Sequence, residues 1–286
     1  MNEPDRSPER LFVYECKGPG YPRLDPESES YLGLWPEPPF YYLFFSGEAA
    51  AAVSSWLDRH RGFRMTGTYH IKYNQWREPL VSSHRVGPFS ISAGPGARDR
   101  PGSGGAIELR LNPGLVFGSG LHPTTRGCLL AIAELSARYP IRNAIDLGTG
   151  TGILAIACAL IGVRKIIAVD CNPLAARIAR ENVRINAVEG AVDVVAAADP
   201  AVLRSPMDLL IMNIEWPVQK KILENMDLEA FKMLILSGFF RSDPLEWHRG
   251  FPGSHRILSE LTIEDWTTLV LKACPDDRDE KRTFGP

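Results

Sequence analysis

The chain has 286 residues, with 32 Lys and Arg against 34 Asp and Glu, a formal net charge of −2, and 44% hydrophobic residues. That length holds one large domain plus a smaller one, and the balanced charge excludes a broad basic footprint for nucleic acid or anionic membrane. Five scattered cysteines (Cys16, Cys128, Cys158, Cys171, Cys274) have no Cys-x-x-Cys spacing, which argues against a zinc site or a disulfide framework.

Met1 to Arg10 is polar and charged rather than a signal sequence, and the longest apolar stretch, Ile153 to Val163, is too short to span a bilayer. The chain therefore reads as cytoplasmic, with neither nucleic acid nor membrane as a partner.

In chain order, a polar tail leads to a strand at Leu11–Cys16 and then to a loop rich in Gly, Pro, Glu and Ser that closes residues 1–30. Phe40–Phe45 reads as an aromatic strand, Gly47–Arg61 as a helix with Val53, Trp56 and Leu57 on one side, and Phe63–Tyr73 as a returning strand. With a pair of short strands near Arg85–Ala93, they predict a small amino-terminal α+β domain over residues 1–93. The Gly, Pro, Arg and Ser stretch at 94–105 reads as a flexible linker.

Ala106–Leu111 alternates as a strand, and Thr124–Ala137 follows as a helix. Strands are then expected at 143–147, 164–169, 192–196, 207–213 and 232–237, with helices at 152–161, 173–186 and 217–225. Leu209-Leu210-Ile211-Met212 shows no polar alternation, as expected of a strand buried on both faces of a parallel sheet. Arg256–Ile263 and Trp266–Lys272 read as a hairpin that completes the sheet antiparallel. The second domain thus spans 106–275, and 276–286 is a charged tail.

The segment Ala144-Ile145-Asp146-Leu147-Gly148-Thr149-Gly150-Thr151-Gly152 joins a strand to a buried helix through a glycine turn. Glycines at every second position admit a ligand that a Cβ would block, and the helix beyond offers free N–H groups. A dinucleotide turn would read Gly-x-Gly-x-x-Gly, with a pyrophosphate on the helix N-terminus. The Gly-x-Gly-x-Gly spacing here, with Asp146 just ahead of it, suits instead a cofactor carrying a sulfonium and an ammonium, S-adenosylmethionine. Asp170 ends the next strand, where a carboxylate can accept two hydrogen bonds from a ribose diol. The competing reading is that Asp170 only caps the helix opening at Pro173, where Asn172 is an equally good cap.

Two further groups flank that turn. Phe117-Gly118-Ser119-Gly120-Leu121-His122-Pro123-Thr124-Thr125 precedes it, and capping alone explains its threonines but not the Phe-Gly-Ser-Gly before them. Met212-Asn213-Ile214-Glu215-Trp216-Pro217 lies at the carboxyl end of a core strand, where open α/β sheets bind ligands. Asn213 offers a carbonyl oxygen and an amide there, unless it merely caps the next helix. Trp216 is more often a packing residue than a substrate wall, and His122 reads as structural rather than as a general base. The remaining histidines show no metal-ligand spacing, so no metal is expected.

These motifs, in this order over about residues 106–272, resemble the ribosomal protein L11 methyltransferase family. The carriers are Phe117 to Thr125, Asp146 to Ala157, Asp170-Cys171-Asn172-Pro173, Asn213-Ile214 and Leu236-Ser237-Gly238. The resemblance implies an α/β class I methyltransferase (Rossmann-like) fold, a seven-stranded sheet with the last strand antiparallel, and S-adenosylmethionine as methyl donor. It carries cofactor contacts to Thr125, Gly148, Asp170 and Asn213, with Gly150 in the same turn, beside Asp146 from the spacing.

The family's reaction is N-methylation of lysine side chains and an N-terminal amine on ribosomal protein L11, gripped by a small amino-terminal domain, so the resemblance implies that residues 1–93 are a substrate-recognition domain. Such a reaction needs little covalent help, so no obligate catalytic base is assigned. Glu215-Trp216-Pro217 departs from the small or apolar residues of the family on the substrate side. The alternatives are a methyltransferase for a different protein or a small-molecule amine, and a catalytically inactive cofactor-binding protein in which Glu215 and Trp216 obstruct the acceptor. An oxidoreductase ranks last.

Overall fold

A computed structural model of the chain describes residues 10–20, 22, 25–37, 39–72, 83–93, 105–112, 115–197, 206–242 and 254–274. Most of the expected linker and the charged tail lie outside these residues.

The amino-terminal part is a four-stranded antiparallel sheet in the order β2-β3-β1-β4, from β1 (Arg10–Lys17), β2 (Tyr31–Glu37), β3 (Phe40–Phe45) and β4 (Arg64–Lys72). Helix α1 (Ala50–Arg59) covers one face, burying Val53 and Trp56 against Tyr14, Cys16, Leu43 and Phe45. The Tyr14 hydroxyl accepts from the Ala49 N–H at 2.9 Å, so a strand residue satisfies one of the free donors at the start of α1. Trp56 is fully buried, and its truncation to Ala would cost about 3–5 kcal/mol.

Strand β2 was not expected. Gly33 and Pro36 interrupt its side-chain alternation, and both are tolerated because β2 lies at the sheet edge, bonded only to β3, with a bulge between Tyr31 and Gly33.

The second body is a seven-stranded sheet in the order β10-β9-β8-β11-β12-β14-β13. Its strands are β8 (Asn143–Leu147), β9 (Lys165–Asp170), β10 (Val192–Ala196), β11 (Met207–Asn213), β12 (Phe231–Phe240), β13 (His255–Ile263) and β14 (Trp266–Ala273). The first five pair in parallel, and β14 inserts antiparallel between β12 and β13. Helices α2 (Pro123–Arg138), α3 (Ile153–Leu160), α4 (Pro173–Ile185) and α5 (Trp216–Leu223) complete it. Met207 through Met212 are all buried, as a strand covered on both faces requires. Strand β12 runs past the expected end at Ser237, because a bulge at Gly238 lets pairing with β14 resume at Phe239.

A three-stranded sheet of β5 (His84–Val86), β6 (Phe89–Ala93) and β7 (Ile107–Leu111) comes between the two bodies in sequence. Val86, Phe89, Ile91, Leu109 and Leu111 enter the same core as α2 and α3, so residues from both sides of the expected linker pack together. The free face of the amino-terminal sheet, through Leu11, Val13 and Phe44, rests on Leu174, Ala175 and Ile178 of α4 and on Leu115 and Val116. This docking holds the amino-terminal sheet beside the chain that leads into Phe117. Among the described residues no helix is long and apolar enough to cross a membrane.

Candidate functional site

The strand order reverses between β8 and β11, and the carboxyl ends of these two strands deliver the glycine turn and Asn213 to the same edge. Open α/β sheets bind ligands at such a switch point. The turn is anchored beneath the ligand side: the N–H groups of Gly148 and Thr149 donate to the Val169 carbonyl at 2.8 and 3.0 Å.

Gly148 and Gly150 have φ of +77° and +55°, a conformation that L side chains rarely adopt. A Cβ on Gly150 would lie 2.7 Å from the carbonyl oxygen of Phe117, and one on Gly148 would lie 2.3 Å from Cγ2 of Ile214. The turn is therefore clasped between two segments distant in sequence. Thr151 strengthens the first clasp, its N–H donating to Phe117 O at 3.2 Å and its hydroxyl to Gly118 O at 2.7 Å.

Asp146 is 1% exposed and lies under the turn rather than open on its surface. Its Oδ2 accepts from the Thr149 hydroxyl at 2.6 Å and the Ala155 N–H at 3.1 Å, while Oδ1 has no partner among the described residues. Burial pushes its carboxyl up to about 6, opposed by those two hydrogen bonds and reinforced by the nearby Asp170. Asp170 accepts from the Gly150 N–H and the Asn172 N–H, each at 2.9 Å, and burial raises its carboxyl as well. The helix cap at α4 is Asn172, whose Oδ1 accepts from the Leu174 N–H at 2.9 Å. The capping reading of Asp170 is thus set aside, and its two oxygens retain lone pairs for further donors.

Thr125 and Asn213 come together: Asn213 Nδ2 donates to Thr125 Oγ1 at 3.3 Å. The cap position of α5 is Glu215, so Asn213 does not cap that helix. His122 is the cap of α2, with Nδ1 accepting from the Thr124 N–H at 3.3 Å.

An aromatic rim flanks these residues. The Phe117 and His122 rings are 5.2 Å apart, His122 and Trp266 4.9 Å, and Trp266 and Phe240 4.0 Å. Glu215 is exposed, whereas Trp216 is half-buried and packs edge-on against Phe239 at 6.2 Å within the core under the sheet.

Sequence reasoning passed over Asn182 and Gln219, both fully buried. Asn182, on α4, donates to Thr151 O at 2.9 Å and Asn112 O at 3.1 Å and accepts from the Asn112 N–H at 2.7 Å, binding the glycine turn to the strand that precedes the Phe117 segment. The readable signal was a polar residue in register with the apolar face of its helix, Leu174, Ile178 and Asn182.

The residues present fit S-adenosylmethionine. The cradle excludes a Cβ at Gly148 and Gly150, Asp170 keeps acceptor capacity on both oxygens beside the turn, as a ribose diol would require, and Asp146 Oδ1 beneath the turn has no partner among the described residues. Sheet order and site together define a Rossmann-like class I methyltransferase fold. The profile described as "Ribosomal protein L11 methyltransferase (PrmA)" matches residues 69–273, and the chain belongs to that family.

Curated proteins named ribosomal protein L11 methyltransferase are similar to it. Those of Chelativorans sp. (strain BNC1) and Thermotoga maritima are 38% and 33% identical, over 59% and 58% of this chain. The chain spans 60% and 63% of the length of these two relatives. The relative from Mesorhizobium japonicum is 32% identical over 66% of this chain and 67% of its own. A crystal structure of ribosomal protein L11 methylase from Lactobacillus delbrueckii subsp. bulgaricus has the same fold, with a TM-score of 0.58 at 23% identity over 68% of this chain and 99% of that one.

Proposed function

We propose that this chain is an S-adenosylmethionine-dependent protein N-methyltransferase acting in the cytoplasm on lysine side chains or the N-terminal amine of ribosomal protein L11 or a related protein. The observation that carries this reading is the convergence of Thr125, Gly148, Gly150, Asp170 and Asn213 at one sheet edge in a member of that family. When bound, the cofactor supplies a methyl group already activated by its sulfonium.

The protein's share is position. Gly148, Gly150 and Asp170 would hold the nucleoside, and Thr125 and Asn213 form a fixed polar corner beside it. The acceptor amine has to arrive neutral and aligned, about 3 Å from the carbon it attacks. The aromatic rim of Phe117, His122, Trp266 and Phe240 supports desolvation of that amine, which lowers a lysine pKa. Glu215, exposed at the same edge, is suited to attract the cationic form before it is desolvated. The amino-terminal sheet, docked on α4, is the substrate-recognition element in this reading.

Incubation of the purified chain with S-adenosylmethionine and L11, followed by intact mass spectrometry, tests it. Mass increments in steps of one methyl group on L11 are expected. Transfer to other proteins or amines with an unchanged L11 mass would replace the substrate. Cofactor binding without transfer to any acceptor would leave a binding protein.

A further inference from the structure

We infer that Gln219 is a positioning residue for the polar corner of the site, acting through Asn213 and Ile214; the inference rests on the methyl-transfer reading. Gln219 is fully buried on the inward side of α5. Its Nε2 faces three backbone carbonyls, those of Ser237 at 3.0 Å, Met212 at 3.4 Å and Ile214 at 3.5 Å. The three oxygens fix the orientation of the amide, because the reversed amide would set Oε1 against all of them. Oε1 itself has no partner among the described residues. An apolar side chain would fill this core position without leaving such an acceptor, so what Gln219 contributes here is its N–H donors.

They hold the end of the β11–β12 ladder. Asn213 and Ser237 are the last register pair between the two strands, and Gln219 spans the carbonyls just before and just after it. Beyond that pair the backbones press together: Gly238 has φ of +102°, and a Cβ there would lie 2.2 Å from the Ile214 carbonyl oxygen. Ile214 in turn places its Cγ2 against Gly148 of the cofactor turn, while Asn213 reaches Thr125. One buried amide therefore sets the height of both contacts. Gln219 touches neither cofactor nor acceptor and is no catalytic residue.

The test uses the full chain with Gln219→Met, which keeps the volume and loses the donor, and Gln219→Glu, which keeps the shape. Readouts are S-adenosylhomocysteine affinity by calorimetry, backbone hydrogen exchange by mass spectrometry, and KM and kcat. Gln219→Met is expected to bind S-adenosylhomocysteine about tenfold more weakly, with faster exchange confined to residues 212–216 and 237–239 and a larger fall in kcat than rise in KM. Gln219→Glu is expected to recover affinity as pH falls, since the protonated acid donates to a carbonyl where the carboxylate repels all three, a pH dependence additional to that of the wild type.

Wild-type affinity and local exchange in Gln219→Met, or exchange rising uniformly through the domain, overturns the inference. If the Met variant does not fold, absence of the low-pH recovery in Gln219→Glu does so. A wild-type chain that transfers no methyl group overturns the proposed function instead, while the affinity and exchange comparison still decides Gln219.

Discussion

Asn213, at the end of β11, donates from Nδ2 to the hydroxyl of Thr125 in the first turn of α2, at 3.3 Å and across 88 residues of sequence. This bond ties the end of β11 to the helix that precedes the glycine turn. Thr125 is 1% exposed, so its hydroxyl is kept from water and committed to a partner.

A double-mutant cycle on this pair follows. Thr125→Val and Asn213→Ala are each expected to weaken S-adenosylhomocysteine binding, with a coupling energy of about 1 kcal/mol between them. Calorimetry on the two single variants and the double variant reads it. Strictly additive losses would mean that the bond does not organise the site.

Asp146 makes stability depend on pH in a direction opposite to that of a salt-bridged acid. Its folded carboxyl titrates at about 6 rather than the usual 3.8, so between those values the folded protein binds more protons than the unfolded chain. Stability is therefore fully present at low pH and falls as pH rises through that window, by about 3 kcal/mol for a two-unit shift. Asp146→Asn is expected to flatten this slope in thermal melts taken from pH 4 to 7. An unchanged slope would assign it to other groups.

Gly150 and Gly162 separate backbone strain from steric exclusion. Both have positive φ, +55° and +104°, but a Cβ on Gly162 meets nothing within 4 Å, whereas one on Gly150 lies 2.7 Å from backbone. Gly162→Ala is expected to cost roughly 1–2 kcal/mol of conformational strain and to leave cofactor affinity intact. Gly150→Ala is expected to cost more and to abolish S-adenosylhomocysteine binding. Equal losses in urea melts and in calorimetry would refute the clasp between Gly150 and Phe117.

Asp170→Asn sets an amide N–H₂ against one of the two backbone donors that the carboxylate now accepts, Gly150 or Asn172. A stability loss of about 1–3 kcal/mol is expected, together with weaker S-adenosylhomocysteine binding. Chemical denaturation and calorimetry measure the two effects separately. Wild-type affinity in a destabilised variant would remove the ribose contact and leave Asp170 a purely structural acceptor.

The legibility of the fold followed burial pattern. Phe40–Phe45 and Met207–Asn213 form as read, since an aromatic or unbroken apolar run has few alternatives to a sheet. Strand β2 was invisible because Gly33 and Pro36 break the alternation that an edge strand does not need. Gly238 hid the last turns of β12 because a bulge and a strand end carry the same glycine signal. Asn182 is readable only through its register with Leu174 and Ile178 on the apolar face of α4, and the partners of Asn182 and Gln219 lie on other elements, which no local pattern reveals.

By itself, the sequence determined the glycine turn, the alternation of strand and helix, and the ordered motifs of the family, all of which are properties of neighbouring residues. Tertiary structure decided what each polar group does: Asp146 is enclosed under the turn, Asn172 caps α4 in place of Asp170, and Trp216 packs against Phe239 while Glu215 stays exposed. The reason is that hydrogen-bond partners and burial depend on which strands become neighbours. The reversal of strand order between β8 and β11 brings residues as distant as Thr125 and Asn213 to one edge.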